Sequence, residues 1–205
     1  MNYCSGCGAK VQQRVPDGDN RTRHCCPECG TIFYENPKMV VGCVVEHRGQ
    51  LLLCRRAIEP RVGYWTCPGG FMELNEGVVE GAIRETWEEA LARVEVLGLH
   101  AHFDLPHIGQ AYVYFRARLL GEAFGVGEES LETRLFAVED IPWDEIAFPV
   151  LRYALQHWVE DQRRGKPRVH LGIVEWVEGQ PKYEADSYRL RDHIAEEVVP
   201  GGGSS

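Results

Sequence analysis

The first 37 residues cannot be held folded by apolar burial alone, because they are polar, poor in aliphatics, and contain five of the chain's eight cysteines. A segment this small needs a tie in place of a core. Cys4-Ser-Gly-Cys7 and Cys26-Pro-Glu-Cys29 supply one: two C-x2-C knuckles separated by a polar stretch have the spacing of a tetrahedral structural zinc site. Gly8 and Gly30 follow the knuckles and help the backbone turn under the metal. Cys25 would give a C-x3-C spacing with Cys29, less apt for a knuckle, and is left free. Residues 1–37 are therefore expected to form a small zinc ribbon.

The N-terminus lacks the charged-then-apolar build of a leader, and no run of about 18 apolar residues suggests a membrane span. A cytoplasmic location without membrane contact is expected, where thiols bind metal or stay free. The net charge of -9 argues against a broad surface for long nucleic acid, whose affinity rests on Lys/Arg clusters.

From Met39 the composition turns apolar. Met39-Val-Val-Gly-Cys-Val-Val45 and Leu51-Leu-Leu-Cys54, joined across Gly49, read as a hairpin. Cys43, Cys54 and Cys67 are read as buried small hydrophobes. A helical pattern runs from about Asn75 to Leu91, with Val79, Ala82, Ile83, Thr86, Trp87 and Ala90 on one apolar face. Residues 94–103, 110–118 and 135–138 read as strands, and Pro149 to Arg163 as an amphipathic helix carrying Leu151, Leu155, Trp158 and Val159. This succession favours a mixed sheet flanked by helices. The main domain is expected over residues 38–175. Residues 176–205 are expected to form an extension ending in a flexible Gly/Ser tail.

The helix at 75–91 carries the chemistry. At about 100° per residue, Glu85, Glu88 and Glu89 share one arc beside the apolar stripe. Such carboxylates repel and raise one another's pKa, a conflict that Mg²⁺ or Mn²⁺ resolves while activating water against phosphorus. A Glu-rich helix face is usually only solvated; the residues upstream change that reading. Pro68-Gly-Gly70 supplies a tight turn, and Asn75 is expected to cap the helix with Glu76 at its positive end.

Gly70, Glu76, Arg84-Glu85 and Glu88-Glu89 resemble the Nudix box, G-x5-E-x7-R-E-U-x-E-E-x-G-U. The resemblance implies an α/β/α sandwich with a mixed sheet, in which Glu85, Glu88, Glu89 and the Gly69 carbonyl bind Mg²⁺ while Arg84 and Glu76 orient loop and helix. Family members differ in the group that takes the water's proton. A later loop offers Glu132 or Glu129, with Glu132 preferred. Leu91 departs from the box, standing where a glycine is usual. A glycine there would end the helix at positive φ, so the helix is expected to run on past Leu91 and bury it.

The ribbon, Asn36-Pro-Lys38, Leu53-Cys-Arg-Arg56, Gly63-Tyr-Trp65, Ser130 to Phe136 and Ile141-Pro-Trp143 resemble the ribbon-bearing FAD and ADP-ribose pyrophosphatases from Cys4 to about Ile173. That likeness implies a homodimer that splits FAD to FMN and AMP, or ADP-ribose to AMP and ribose 5-phosphate. Arg56, Trp65 and Phe71 are the expected substrate contacts, with Tyr64 a further aromatic that could stack on a base. NADH pyrophosphatases usually carry S-Q-P-W-P-F-P-x-S, which is missing here, so NADH ranks second. RNA cap removal shares the chemistry but wants a basic track. A silent Nudix scaffold whose ribbon binds a partner would be free to lose the three glutamates, and all are present.

Overall fold

The computed structural model describes residues 1–198, which separate into two compact units between Asn36 and Pro37. The Gly/Ser tail lies outside the described residues.

The first unit is a three-stranded antiparallel sheet, β1 (Gln12–Arg14), β2 (Arg23–Cys25) and β3 (Ile32–Phe33), with β2 central. Its core is only Cys4, Val11 and Cys26, with Ala9 and Phe33 packed against them. The Gly8 N–H donates to Cys4 O (2.9 Å) and the Gly30 N–H to Cys26 O (3.1 Å), both glycines at positive φ, which folds each knuckle back beneath its sulfurs. The Sγ atoms of Cys4, Cys7, Cys26 and Cys29 lie within 4.8 Å of one another. Two of their separations are 3.6 Å (Cys4 to Cys29) and 3.4 Å (Cys7 to Cys26). Zinc with sulfurs at about 2.3 Å needs edges of about 3.8 Å, so the cluster fits a structural zinc. Cys25 is outside it, its thiol donating to Arg23 O (3.7 Å).

In the second unit β4 (Lys38–His47) and β5 (Gln50–Arg56) form the expected hairpin, followed by β6 (Trp65–Thr66), β7 (Gly69–Phe71) and helix α1 (Val78–Ala90). Then come β8 (Val94–Leu105), β9 (Gln110–Leu119), β10 (Ser130–Phe136), α2 (Pro149–Arg164), β11 (Arg168–Trp176) and β12 (Tyr188–Glu197). The strands join in the order β10-β5-β4-β9-β8-β11-β12, with β6 on β5 and β7 on β4. The pairs β4/β9 and β8/β11 are parallel and the rest antiparallel.

The strand period of two splits this sheet's side chains between two cores. Val44, Leu51 and Leu53 face α2, where Leu151, Leu155 and Trp158 are buried. Val41, Cys43, Val45, Leu52 and Cys54 face α1, where Ala82 and Ala90 are buried. The domain is thus an α/β/α sandwich with a mixed sheet. Burial pushes the Cys43 thiol up to about 11 and raises Cys54 and Cys67 as well, as befits inert core thiols. Residues 188–197, assigned from sequence to an extension, pair with β11 as a strand of this sheet. Among the described residues no helix is long and apolar enough to cross a membrane.

Helix α1 corrects the sequence reading in three ways. It starts at Val78 rather than near Asn75: Asn75 takes a left-handed turn (φ 69°), and the Gly77 N–H donates to Glu80 Oε2 (2.7 Å) at the cap. The face against the sheet is Gly81, Ala82, Thr86, Glu89 and Ala90, while Val79, Ile83 and Trp87 are largely exposed. Small side chains let α1 approach β4 closely, and the larger ones are displaced to the rim. Finally, α1 ends at Ala90. Leu91 is left-handed (φ 47°, ψ 30°), its N–H donating to Trp87 O (2.8 Å), and is 42% exposed.

The chain therefore accepts at Leu91 a strain of about 1–2 kcal/mol that glycine would avoid. A half-exposed leucine loses less than that on removal, so Leu91→Gly should stabilise the protein by about 0.5 kcal/mol, raising the melting midpoint by one to two degrees. A lower midpoint would show that leucine contacts outweigh the strain.

Candidate active site

Strand β7 pairs with β4, Gly69 opposite Gly42 and Gly70 opposite Val41, which fixes the Pro68-Gly-Gly70 turn on the sheet. There the Gly69 N–H donates to Glu89 Oε2 (3.1 Å). A Cβ on Gly70 would lie 2.7 Å from Glu85 Oε2, so only glycine lets that carboxylate rest against the turn.

Arg84 organises the rest. Its Nε and Nη2 donate to the two oxygens of Glu76 (2.9 and 2.7 Å), and Nη2 also reaches Phe71 O (3.2 Å). Nη1 donates to both Glu85 Oε1 and Glu88 Oε2 (2.8 Å each). One planar fork thus ties the loop end, the helix start and two of the three box glutamates together. The Arg84 guanidinium and the Glu73 N–H (2.6 Å) hold the Glu76 carboxyl down at about 2.

Glu89 is in the opposite situation. Because α1 turns its small-residue face to the sheet, Glu89 is buried, and desolvation pushes its carboxyl up to about 8. The Gly69 N–H and the Arg56 charge oppose this, while Glu85 and Glu129 add to it. Glu85 is also raised, by burial first, with Arg84 opposing and Glu88 and Glu129 contributing. The buried Glu89 and the half-buried Glu85 are both held above their ordinary range and offer oxygen donors only. That suits a hard divalent cation such as Mg²⁺ or Mn²⁺ and not a thiophilic one. Arg84 Nη1 and the Gly69 N–H supply the positive partners of these glutamates.

The other expected residues divide. Trp65 is no stacking platform: it is 5% exposed, set edge-on against Phe136 (centroids 4.8 Å) within the α2-side core. Its position on a short strand between β5 and the 146 region draws it inward. Phe71 is half-exposed with the Lys38 ammonium over its ring (5.4 Å). Arg56 is buried, its Nε donating to Pro60 O (2.8 Å) and its guanidinium lying over Phe148 (5.0 Å). Glu132 is half-exposed and faces Arg55 (3.8 Å). Of the two loop glutamates, Glu129 is the one whose charge acts on Glu85 and Glu89.

Two features escaped the sequence. The loop before β10 closes the C-terminal end of α1, with the Gly125 N–H donating to Ala90 O (2.7 Å) and the Gly127 N–H to Glu89 O (3.1 Å). The Gly-x-Gly of Phe124-Gly-Val-Gly127 was the available signal. The second is a cleft of about 330 Å³ lined by Arg61, Tyr64, Trp143, Phe148, Arg152 and Tyr183, of which Tyr64 and Trp143 stood out in sequence. Phe148, in the cleft wall, lies beneath the Arg56 guanidinium.

The family model for the Nudix N-terminal zinc ribbon matches residues 2–35, and that for the NUDIX domain matches residues 36–157. A crystal structure of a NUDIX hydrolase from Nitrosomonas europaea is similar over 85% of this chain and 99% of its own, with 52% identity and a TM-score of 0.83. Among curated proteins, an ADP-ribose pyrophosphatase from Methanocaldococcus jannaschii is 28% identical over 54% of this chain and 68% of its own length. An NAD-capped RNA hydrolase NudC from Pseudomonas aeruginosa is 26% identical over 77% of this chain and 54% of its own. The chain spans about half to two-thirds of the length of these curated relatives.

Proposed function

This chain belongs to the Nudix hydrolases and carries their N-terminal zinc ribbon, and on that footing we propose that it hydrolyses the diphosphate of an ADP-linked small molecule. ADP-ribose, giving AMP and ribose 5-phosphate, and FAD, giving AMP and FMN, are the substrates. The observation that carries this reading is the intact box: all three glutamates are present, Glu85 and Glu89 held above the ordinary carboxylate range by burial, beside a fixed glycine turn. A silent scaffold would have no reason to keep them so. The ADP-ribose pyrophosphatase relative supports the substrate class.

Glu85, Glu88 and Glu89, with the Gly69 carbonyl, would hold Mg²⁺, which when bound lowers the pKa of water and stabilises charge on phosphate oxygens. Arg84 and Glu76 keep loop and helix in register. Glu129, whose charge acts on Glu85 and Glu89, takes the proton of the attacking water; Glu132, held by Arg55, does not. Tyr64, Phe148 and Tyr183 offer rings against which a base or flavin stacks, and Arg61 and Arg152 offer cationic donors to phosphate. Cys4, Cys7, Cys26 and Cys29 hold a structural zinc. The enzyme works in the cytoplasm, in keeping with eight unpaired cysteines, and as a homodimer by family likeness.

A second reading, action on NAD-linked ends of RNA, draws on the NudC likeness over 77% of the chain. Incubation with Mg²⁺ and FAD, ADP-ribose, NADH, NAD⁺ or capped RNA, with products resolved by mass, separates the two. AMP from ADP-ribose or FAD is expected as the main product. Faster release from NAD-capped RNA than from either would overturn the choice.

A further inference from the structure

Four of the chain's eight histidines converge on elements that carry no box residue: His100 on β8, His157 on α2, His170 on β11 and His193 on β12. Nδ1 of His170 faces Nε2 of His193 at 3.1 Å, the two rings parallel within 6° and their centroids 5.3 Å apart, which places them edge to edge. The His157 ring lies parallel over both, 4.2 Å from His170 and 4.4 Å from His193. Ring nitrogens of these three residues lie within 4.8 Å of one another.

The surroundings orient this group as an outer shell orients a ligand. His170 Nε2–H donates to Asp161 Oδ2 (3.1 Å), and Asp161 is itself held by the Arg168 Nε (2.6 Å to Oδ1) and backbone N–H (2.9 Å to Oδ2). With its proton committed to Asp161, His170 presents the Nδ1 lone pair toward His193. A carboxylate behind a histidine is the usual means of fixing a ligating tautomer. His157 Nε2 is buried with no hydrogen-bond partner, an arrangement that costs free energy unless something binds there.

We infer that His157, His170 and His193 form a transition-metal site, distinct from the ribbon and the box, with Asp161 orienting His170. Three imidazoles suit zinc, cobalt, nickel or copper rather than magnesium. A tetrahedral ion with Zn–N bonds of about 2.0–2.1 Å holds its nitrogens about 3.3 Å apart, so the His170 and His193 nitrogens, now facing each other at 3.1 Å, need to separate little, while their rings turn so that the two lone pairs converge on the ion. Binding replaces the proton between these two rings, His193 passing to its other tautomer with the proton on Nδ1. The His157 ring tilts out of the stack to bring Nε2 to the ion. Burial first, then the neighbouring rings at His157 and the Arg168 charge at His170 and His193, lower the pKa of all three and favour the neutral form that ligates. His193, on an exposed strand, leaves a route from solvent.

Cobalt distinguishes this site from the other two. Full-length protein with a zinc-loaded ribbon, in excess Mg²⁺ to fill the oxygen site, is titrated with Co²⁺. One further equivalent is expected, with visible ligand-field bands and no thiolate-to-cobalt charge transfer. His193→Gln should weaken it by at least about a hundredfold at unchanged far-UV circular dichroism, and the surface variant His102→Gln should bind as wild type. Failure of the wild-type protein to take up nitrogen-ligated cobalt, cobalt seen only through thiolate bands, or unchanged affinity in His193→Gln would overturn the site.

Discussion

Glu89→Gln is expected to lower turnover in saturating Mg²⁺ by at least about a hundredfold and, in the metal-free protein, to raise stability at alkaline pH. The two effects have one cause. Burial holds the Glu89 carboxyl at about 8, far above the ordinary range. A carboxyl whose folded pKa is raised binds its proton more tightly folded than unfolded. Its contribution is therefore fully present below about pH 4.3 and is lost as pH climbs to about 8. Chelated wild-type protein should lose melting temperature across that window, and the glutamine variant should lack this part of the slope.

Removing the charge also removes a proposed metal ligand, and electrostatic work in such sites is worth roughly two to three orders of magnitude. Glu88→Gln should match the loss of turnover without the gain in stability, because Glu88 is solvent-exposed. Turnover within tenfold of wild type for either variant would remove that residue from the metal-binding set.

Gly127→Ala should be the most damaging single methyl group near the site. A Cβ there would stand 1.8 Å from Glu88 O and 2.8 Å from Glu88 C, backbone atoms that cannot swing aside. Gly127 is not at positive φ, so the effect is steric alone. The loop must lift from α1, breaking the hydrogen bond to Glu89 O and shifting Glu129. Overpacking of this kind costs about 3 kcal/mol, or roughly 6–12 °C in a chain of this size. Turnover of the surviving folded protein should fall with it. A melt within two degrees of wild type would mean that the loop is not docked as described.

The ribbon and the strand and helix types were legible because each rests on local pattern: knuckle spacing, alternation, a 3.6-residue period. The rotation of α1 was not. Periodicity finds an apolar stripe through Val79, Ile83 and Trp87, but closeness to β4 favours the small residues Gly81, Ala82 and Ala90, and Glu89 is carried inward with them. The box glutamates were found by spacing, yet their unequal burial follows from that rotation. Trp65 was misassigned because an aromatic beside the box reads alike whether it faces solvent or Phe136. Asp161, Tyr183 and the four converging histidines come from segments whose meeting is set by the register of β8, β11 and β12, which no local signal encodes. Leu91 shows the reverse case, a departure from the box that the fold tolerates with the same left-handed turn.

Hydrolysis of a diphosphate by water added at phosphorus is open to one decisive measurement, the cleavage of ADP-ribose in ¹⁸O-water. AMP and ribose 5-phosphate are expected in equal amounts, one of them carrying a single solvent-derived oxygen on its phosphate, and Glu88→Gln should form neither at more than about a hundredth of the rate. No cleavage in saturating Mg²⁺ or Mn²⁺, or products whose phosphates carry no ¹⁸O, would contradict it.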